Sequence, residues 1–142
     1  MANLLSPIYS AIMTHYGNLD DDNQFDDGLY FVQAPQGQTG NWATFNYDGG
    51  DGDEIMGDAD DVIENAEIRF NLFTDADDNG ATIAEMLEKL TNAFDWANLS
   101  EDGFTVTSHD CIKVQRISTA PVLYIDNIWQ VAVIYEISLM AD

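Results

Sequence analysis

The segment from Trp129 to Leu139 constrains the fold more than any other part of this sequence. Every odd-numbered position in it is apolar, and these positions alternate with a second set that is Gln130, Ala132, Ile134, Glu136 and Ser138. A period of two is typical of a β-strand. Because the middle of this segment is apolar on both faces, it is expected in the interior of a sheet, with a neighbouring strand on each side.

Four other segments have strand character. They are Leu29–Val32, Asn41–Tyr47, Ala66–Leu72 and, with imperfect alternation, Phe104–Ile117. The segment Ala66–Leu72 alternates apolar with polar residues, which predicts one buried and one wet face. Turn residues at Ala34-Pro35-Gln36-Gly37 are expected to end the first of the four.

Two segments have helical periodicity. Ser6-Pro7 is typical of a helix start and Gly17 of a helix end, so the first helix is predicted between them. In the second, Thr82 and Glu85 have the spacing of a capping box, and an apolar stripe follows from Ile83 to Ala97. The elements run helix, three strands, helix, two strands. The predicted fold class is therefore α+β, an antiparallel-rich sheet with helices packed on it, in a single domain of residues 1–142.

The charge of the chain excludes several classes of partner. Only 4 residues are Lys or Arg, whereas 26 are Asp or Glu, and the net charge is −22. A protein that binds nucleic acid through its phosphates needs clustered cations, and an anionic membrane surface repels a polyanion. Two acidic runs, Asp20–Asp27 and Asp48–Asp61, are rich in Gly and Asn, which predicts solvated loops. The second run is predicted to be a mobile, projecting loop and not a dedicated cation site.

No apolar run is long enough to span a membrane, and no basic region precedes the first apolar residues, so we expect a soluble protein that is not exported. Cys111 is the single cysteine, and an internal disulfide is therefore impossible.

The candidate chemical motifs favour ordinary structural roles. Asp75–Gly80 resembles the opening of a calcium loop, but the spacing to Glu85 is one residue short and Met86 cannot be a ligand. His109 and Cys111 could pair for nucleophilic catalysis, yet nothing nearby would orient the histidine. We therefore predict no catalytic residue, no metal site and no cofactor, and we expect a protein that is not an enzyme.

The order and spacing of several phrases resemble the tail-terminator, or tail-completion, proteins of long-tailed bacteriophages. The phrases are Leu29-Tyr30 running to Ala34-Pro35-Gln36-Gly37, aromatic Trp42 and Phe45, the strand end Ile68–Phe73, the helix Ile83–Phe94, and the C-terminal strand Trp129–Ile137. The resemblance covers nearly the whole chain, from Leu4 to Leu139. This family has no invariant chemical motif, so the resemblance carries no functional residue over.

The resemblance implies a structural virion protein that forms a ring, usually of six copies. Such a ring caps the tail tube at the head–tail junction, contacts the tail-tube protein and the head-connector or stopper protein, and lets the genome pass through its bore without specific binding. Tyr30, Trp42 and Tyr47 are the candidates for apolar contact between subunits. The strong acidity of Asp48–Asp61 departs from a plain hairpin, although a conduit for DNA should repel phosphates.

Three alternatives remain open from the sequence. One is another small head–tail joining protein. The second is an acidic DNA mimic, which should place its acids along ordered helices or strands. The third is a binding protein whose acidity reflects a salt-rich medium.

Overall fold

A computed structural model of the chain describes residues 4–55, 58–99 and 103–141. The longer helices are α1 (Leu5–Gly17) and α2 (Ala81–Phe94), and single 3₁₀ turns occupy Asp21–Asn23 and Ala97–Leu99. The strands are β1 (Leu29–Phe31), β2 (Asn41–Ile55), β3 (Asp58–Thr74), β4 (His109–Thr119), β5 (Leu123–Ile125) and β6 (Ile128–Ala141).

The strands form one sheet in the order β1-β2-β3-β6-β4, and the short β5 also pairs with β6. The β1–β2 pair is parallel and the other pairs are antiparallel. The predicted α+β class and the interior position of the C-terminal strand are therefore confirmed. Two strands were expected after α2 and three are present. The sequence did not predict β5, because it is only three residues long and lies just after Pro121.

Both helices pack on the same face of the sheet. Tyr9 of α1 lies 6.0 Å from Phe45 of β2, and Phe94 of α2 lies 4.9 Å from Phe70 of β3, measured between ring centroids. Every second residue of β3 and β6 points to the same face and is buried with them. The largest of these buried residues are Ile68, Leu72, Tyr135, Ile137 and Leu139. The helix face of the sheet thus holds the hydrophobic core.

The ends of α1 agree only in part with the sequence pattern. The helix begins at Leu5, and its N-cap Leu4 makes no side-chain capping bond, so Ser6 is not the cap. Pro7 is the third helical residue, where its missing N–H costs nothing because the first four N–H groups have no partner within a helix. The predicted end at Gly17 is correct. His15 in the last turn donates from Nε2 to the carbonyl of Ala93, 2.7 Å away, and so ties α1 to α2.

The capping box predicted for α2 is wrong. Thr82 lies inside the helix, and the carboxylate of Asp78 accepts hydrogen bonds from both the backbone N–H and the hydroxyl of Thr82. The bond from that hydroxyl is the main cause that lowers the pKa of Asp78. Gly80 precedes the helix with φ 90°, a left-handed conformation that glycine adopts without strain.

The described residues of the acidic run Asp48–Asp61 form strands and not the predicted loop. The β2–β3 ladder continues through it, from the pair Gly50↔Ala66 to the pair Ile55↔Asp58, with a register shift after Tyr47. Residues 56 and 57 lie outside the described residues. The strand predicted over Phe104–Ile117 begins later than expected, at His109. Phe104 and Val106 lie before this strand and are buried.

The outer part of this hairpin can be tested by shortening it. The β3–β6 ladder ends at Ile63↔Met140, so the described residues of β3 before Ile63 pair with β2 alone. We expect that replacing residues 54–62 with Asn-Gly, a sequence suited to two-residue hairpin turns, changes the free energy of unfolding by less than about 1 kcal/mol. Urea denaturation followed by circular dichroism measures this change. Loss of the cooperative transition would instead show that the outer hairpin stabilises the domain.

Candidate functional site

The sheet edge formed by β4 and β5 is the strongest candidate for an interaction surface. Residues 111–125 contain no Asp or Glu, in a chain whose net charge is −22. Within this stretch the large apolar side chains that are exposed are Ile112, Ile117, Val122, Leu123, Tyr124 and Ile125. A run of exposed apolar residues on a strand edge is typical of a surface that contacts another protein.

A break in the β4–β6 ladder separates β5 from β4. After β4 the N–H of Ala120 still donates to the carbonyl of Ala132, 2.8 Å away, and Pro121 then interrupts the ladder. The β5–β6 turn consists of Asp126 and Asn127, with φ values of 53° and 65°. Positive φ at both central residues is the signature of a type I′ hairpin, which favours Asn and Asp. Among the strands of the described residues, β5 pairs with β6 alone.

Tyr124 is the most strongly oriented side chain on this edge. Its ring lies 4.6 Å from the ring of Trp129, the residue opposite it on β6. Its hydroxyl donates to Oδ1 of Asn127 at 3.3 Å. Although Tyr124 is held in this way, 52% of its surface is exposed, so it is available to a partner.

The two cations on this edge are already paired within the chain. Nζ of Lys113 lies 2.8 Å from a carboxylate oxygen of Glu136, and Nη2 of Arg116 lies 3.3 Å from Asp95. Asp95 also accepts a hydrogen bond of 2.5 Å from the hydroxyl of Tyr135, and burial followed by this bond raises the pKa of that tyrosine. Residues 111–125, together with Glu136 and Asp95, therefore carry no net charge, whereas exposed Asp110 and Asp126 flank this stretch and the chain as a whole is a polyanion.

An apolar hollow lies at the opposite edge of the sheet, between α1 and β1. It has a volume of about 340 Å³ and is lined by Leu5, Ser6, Tyr9 and Phe31. Tyr9 meets Phe31 edge to face, with 5.3 Å between ring centroids. None of the four lining residues is charged. The domain thus has an apolar surface at each end of the sheet.

The three aromatic residues expected to contact neighbouring subunits occupy different positions. Trp42 is only 7% exposed, because it stacks on Phe73 at 5.3 Å on the sheet face opposite the helices. Tyr30 is half-buried and its hydroxyl donates to the carbonyl of Asp27 at 2.8 Å. Tyr47 packs against the core. The prediction of an exposed strand face is therefore wrong for Trp42. Tyr30 and Tyr47 each keep part of their surface exposed, and their contact with a neighbouring subunit stays a prediction.

The His109–Cys111 segment does not form a catalytic pair in the described structure. Nδ1 of His109 is 2.8 Å from the carbonyl of Thr107, and the thiol of Cys111 points to the carbonyl of Lys113 at 3.8 Å. Burial raises the pKa of the Cys111 thiol to about 11, which keeps it protonated at neutral pH.

The acidic segment before α2 uses its carboxylates for backbone contacts. Asp75 accepts from the N–H of Gly40 at 3.0 Å, and Asp78 accepts from the N–H of Thr82, in the first turn of α2, at 3.0 Å. Across residues 4–55, 58–99 and 103–141, no three His, Cys, Asp or Glu side chains are grouped so that they could hold a metal ion. In the same residues, neither helix has the length and hydropathy needed to cross a membrane.

Sequence reasoning missed the β4–β5 edge as a candidate site. The signal was present, because residues 111–125 are the longest acid-free stretch between the start of α2 and the end of the chain. Only the structure shows that the apolar residues in this stretch lie on an edge strand and not in the core.

The fold itself has a known counterpart, although the sequence does not. No protein-family model and no curated protein matches this chain. Among solved structures, it is similar to a chain from the virion of a native gene transfer agent particle, with a TM-score of 0.73 and 9% sequence identity. The alignment covers 98% of this chain and 98% of that one. At this identity the two chains share a fold from end to end.

Proposed function

We propose that this chain is a structural virion protein of the phage type, and that it acts as a tail terminator. In this role six copies form a ring that caps the finished tail tube at the head–tail junction. The ring contacts the tail-tube protein on one side and the head-connector or stopper protein on the other. The protein works in the virion, after assembly in the host cytoplasm, and needs no cofactor.

One observation carries this proposal. The fold is similar over 98% of both chains to a component of a gene transfer agent virion. The sequence segments that resemble tail terminators supply an independent reason to propose a position at the end of the tail. Both lines point to a protein that acts through surfaces and not through a chemical centre.

The two apolar edges are consistent with assembly into a ring. A subunit in a ring needs one contact surface for each neighbour, and the edges at β5 and at β1 lie at opposite ends of the sheet. Both are uncharged or internally neutralised, so they are the parts of a highly acidic chain that can approach another copy with the least repulsion.

The charge also suits a conduit for DNA. A bore that retained the genome through Lys and Arg contacts would slow its passage, whereas a chain of net charge −22 repels phosphates. The negative charge alone is therefore enough for DNA to pass through the bore without being bound.

A DNA mimic remains the second candidate. Such a protein should carry its acids on ordered elements, and the described residues of the run Asp48–Asp61 lie in the paired strands β2 and β3. This observation favours the mimic more than the sequence pattern did. A DNA mimic does not account for the apolar edges, which a terminator ring would use for contacts between subunits.

Removal of the gene from the genome that encodes this chain distinguishes these functions. We expect electron microscopy to show filled heads separated from tails whose ends lack the cap, and expression of the wild-type chain in trans should restore joined particles. Capped tails of normal form that fail to join would favour another head–tail joining protein. Joined particles of normal form would contradict a virion role and leave the DNA mimic.

A further inference from the structure

We propose that the cavity between the C-terminal ends of α1 and α2 binds a guanidinium group supplied by another molecule. The cavity has a volume of about 360 Å³. Its lining includes Asn18 and Asp95, which are the C-cap residues of the two helices. A site of this kind requires neither a ring nor a position at the end of the tail, so it stands apart from the proposed function.

Both helices present the negative end of their dipole to this cavity. Peptide dipoles add along a helix to about half an elementary negative charge at its C-terminus, where the last carbonyls have no partner within the helix. The two ends are fixed side by side, because Nε2 of His15, in the last turn of α1, is bonded at 2.7 Å to the carbonyl of Ala93 in α2. A cation is therefore favoured between them.

The side chains that line the cavity add negative charge. Asp20 and Asp95 are among them, and none of the described lining residues is a lysine or an arginine. Asp95 is already paired with Arg116, whose Nη2 lies 3.3 Å away. Asp20 is exposed and takes part in none of the ion pairs found among the described residues. One carboxylate of the cavity is therefore available to a cation from outside.

Trp96 gives the cavity an aromatic wall. Its backbone N–H donates to the carbonyl of Val114 in β4 at 2.8 Å, and its φ of 52° is unusual for a bulky residue. The side chain lines the cavity and is 47% exposed, so it is not used to fill the core. Indole is the aromatic side chain that attracts cations most strongly.

The groups around the cavity select a guanidinium over other cations. Within the described part of the chain, no three His, Cys, Asp or Glu side chains are grouped so that they could hold a metal ion. A guanidinium is planar and weakly hydrated, stacks on aromatic rings and donates to a carboxylate through a fork, whereas an ammonium is a strongly hydrated point charge. Trp96 supplies the ring and Asp20 the carboxylate. The side-chain oxygens of Asn18 and Asn92 can accept the remaining N–H groups.

The guanidinium has to come from another kind of molecule. Arg69 and Arg116 are the only arginines of the chain, and they are paired with Asp48 and Asp95. A second copy would have to break one of these pairs and bring its own net charge of −22 to the contact. Two sources remain, which are an arginine side chain of a different protein and a small guanidinium compound.

NMR titration with methylguanidinium tests the site, and the indole N–H signals of the three tryptophans are its reporters. We expect the signal of Trp96 to shift and to saturate at millimolar concentrations. The signals of Trp42 and Trp129 should stay in place, because neither residue lines the cavity. Methylammonium at the same concentration and ionic strength should bind more weakly.

Two variants of equal charge separate this site from the general attraction of cations to a polyanion. Asp20→Asn should weaken binding about two- to fivefold, the usual range for an exposed ion pair. Asp22→Asn removes the same charge from the adjoining 3₁₀ turn, outside the cavity, and should change binding little because salt screens it. Circular dichroism checks that both variants fold.

A second titration, with acetyl-Gly-Arg-Gly-amide and its lysine counterpart, identifies the source. Tighter binding of the arginine peptide than of methylguanidinium assigns the site to an arginine of a partner protein, and binding no tighter assigns it to a small guanidinium compound. An unmoved Trp96 signal, equal shifts of all three indole signals, equal binding of methylammonium, or equal effects of Asp20→Asn and Asp22→Asn would each overturn the proposal. The last three results would show only that a polyanion attracts cations.

Discussion

Phe94→Ala is expected to lower the free energy of unfolding by about 3–5 kcal/mol, the usual cost of removing a buried phenylalanine side chain. Phe94 is 2% exposed at the end of α2. Its ring lies within 6.4 Å of four others, which are those of His15, Phe70, Phe104 and Tyr135. The truncation leaves a cavity that these rings cannot fill without leaving their own positions.

The loss is large relative to the stability of a domain of this size, which is typically about 5–15 kcal/mol. Urea denaturation followed by circular dichroism measures it. Phe94→Leu keeps much of the volume and should cost less, and the exposed Leu99→Ala should change stability by no more than about 0.5 kcal/mol. A Phe94→Ala cost below about 1 kcal/mol would show that the aromatic cluster does not hold the helices to the sheet.

Assembly into a ring is expected to strengthen as salt concentration rises. In the proposed ring, six copies of a chain with net charge −22 would repel one another around one bore. The Debye length is about 30 Å at 0.01 M salt, so each copy experiences charge across most of its neighbour, and about 3 Å at 1 M, where only adjacent groups interact. The apolar contact between subunits can exceed the repulsion only in the second case. Magnesium should act at lower concentration than sodium.

Light scattering across a salt series, with native mass spectrometry of the assembled species, measures this dependence. The matched variant replaces Asp20, Asp21 and Asp22 with asparagine, which keeps side-chain size on an exposed 3₁₀ turn and removes three charges. It should assemble at lower salt than the wild-type chain. A ring that dissociates as salt rises would contradict the electrostatic argument, because screening would then remove an attraction.

The sequence predicted the fold better than it predicted the candidate site. The pattern of Trp129–Leu139 predicted an interior strand, and β6 does lie between β3 and β4. In contrast, Tyr30, Trp42 and Tyr47 were predicted to be contact residues because they were expected on exposed strand faces, and for Trp42 that expectation is wrong. Alternation shows that two faces differ, but it does not show which one a neighbouring strand or side chain covers. Trp42 is buried by Phe73, which is 31 residues away in the chain.

The run Asp48–Asp61 illustrates the same limit in backbone structure. Glycine and aspartate have low strand propensity, so local sequence predicted a loop. The neighbouring segments Asn41–Tyr47 and Ala66–Leu72 already pair in register, and the ladder continues outward from them into the acidic residues. Local propensity was outweighed by pairing with a partner strand, which is a context that the local sequence does not contain.

The sequence by itself determined the features that depend on local periodicity and composition. These are the apolar stripe of α2, the two-residue period of β3 and β6, the α+β class and the polyanionic character. The tertiary structure alone decided the β5 edge, the hollow beside β1 and the cluster of Asp95, Arg116 and Tyr135. The physical reason is that periodicity reports how a segment meets water and core, whereas an edge, a hollow or a buried hydrogen bond depends on residues brought together from distant parts of the chain.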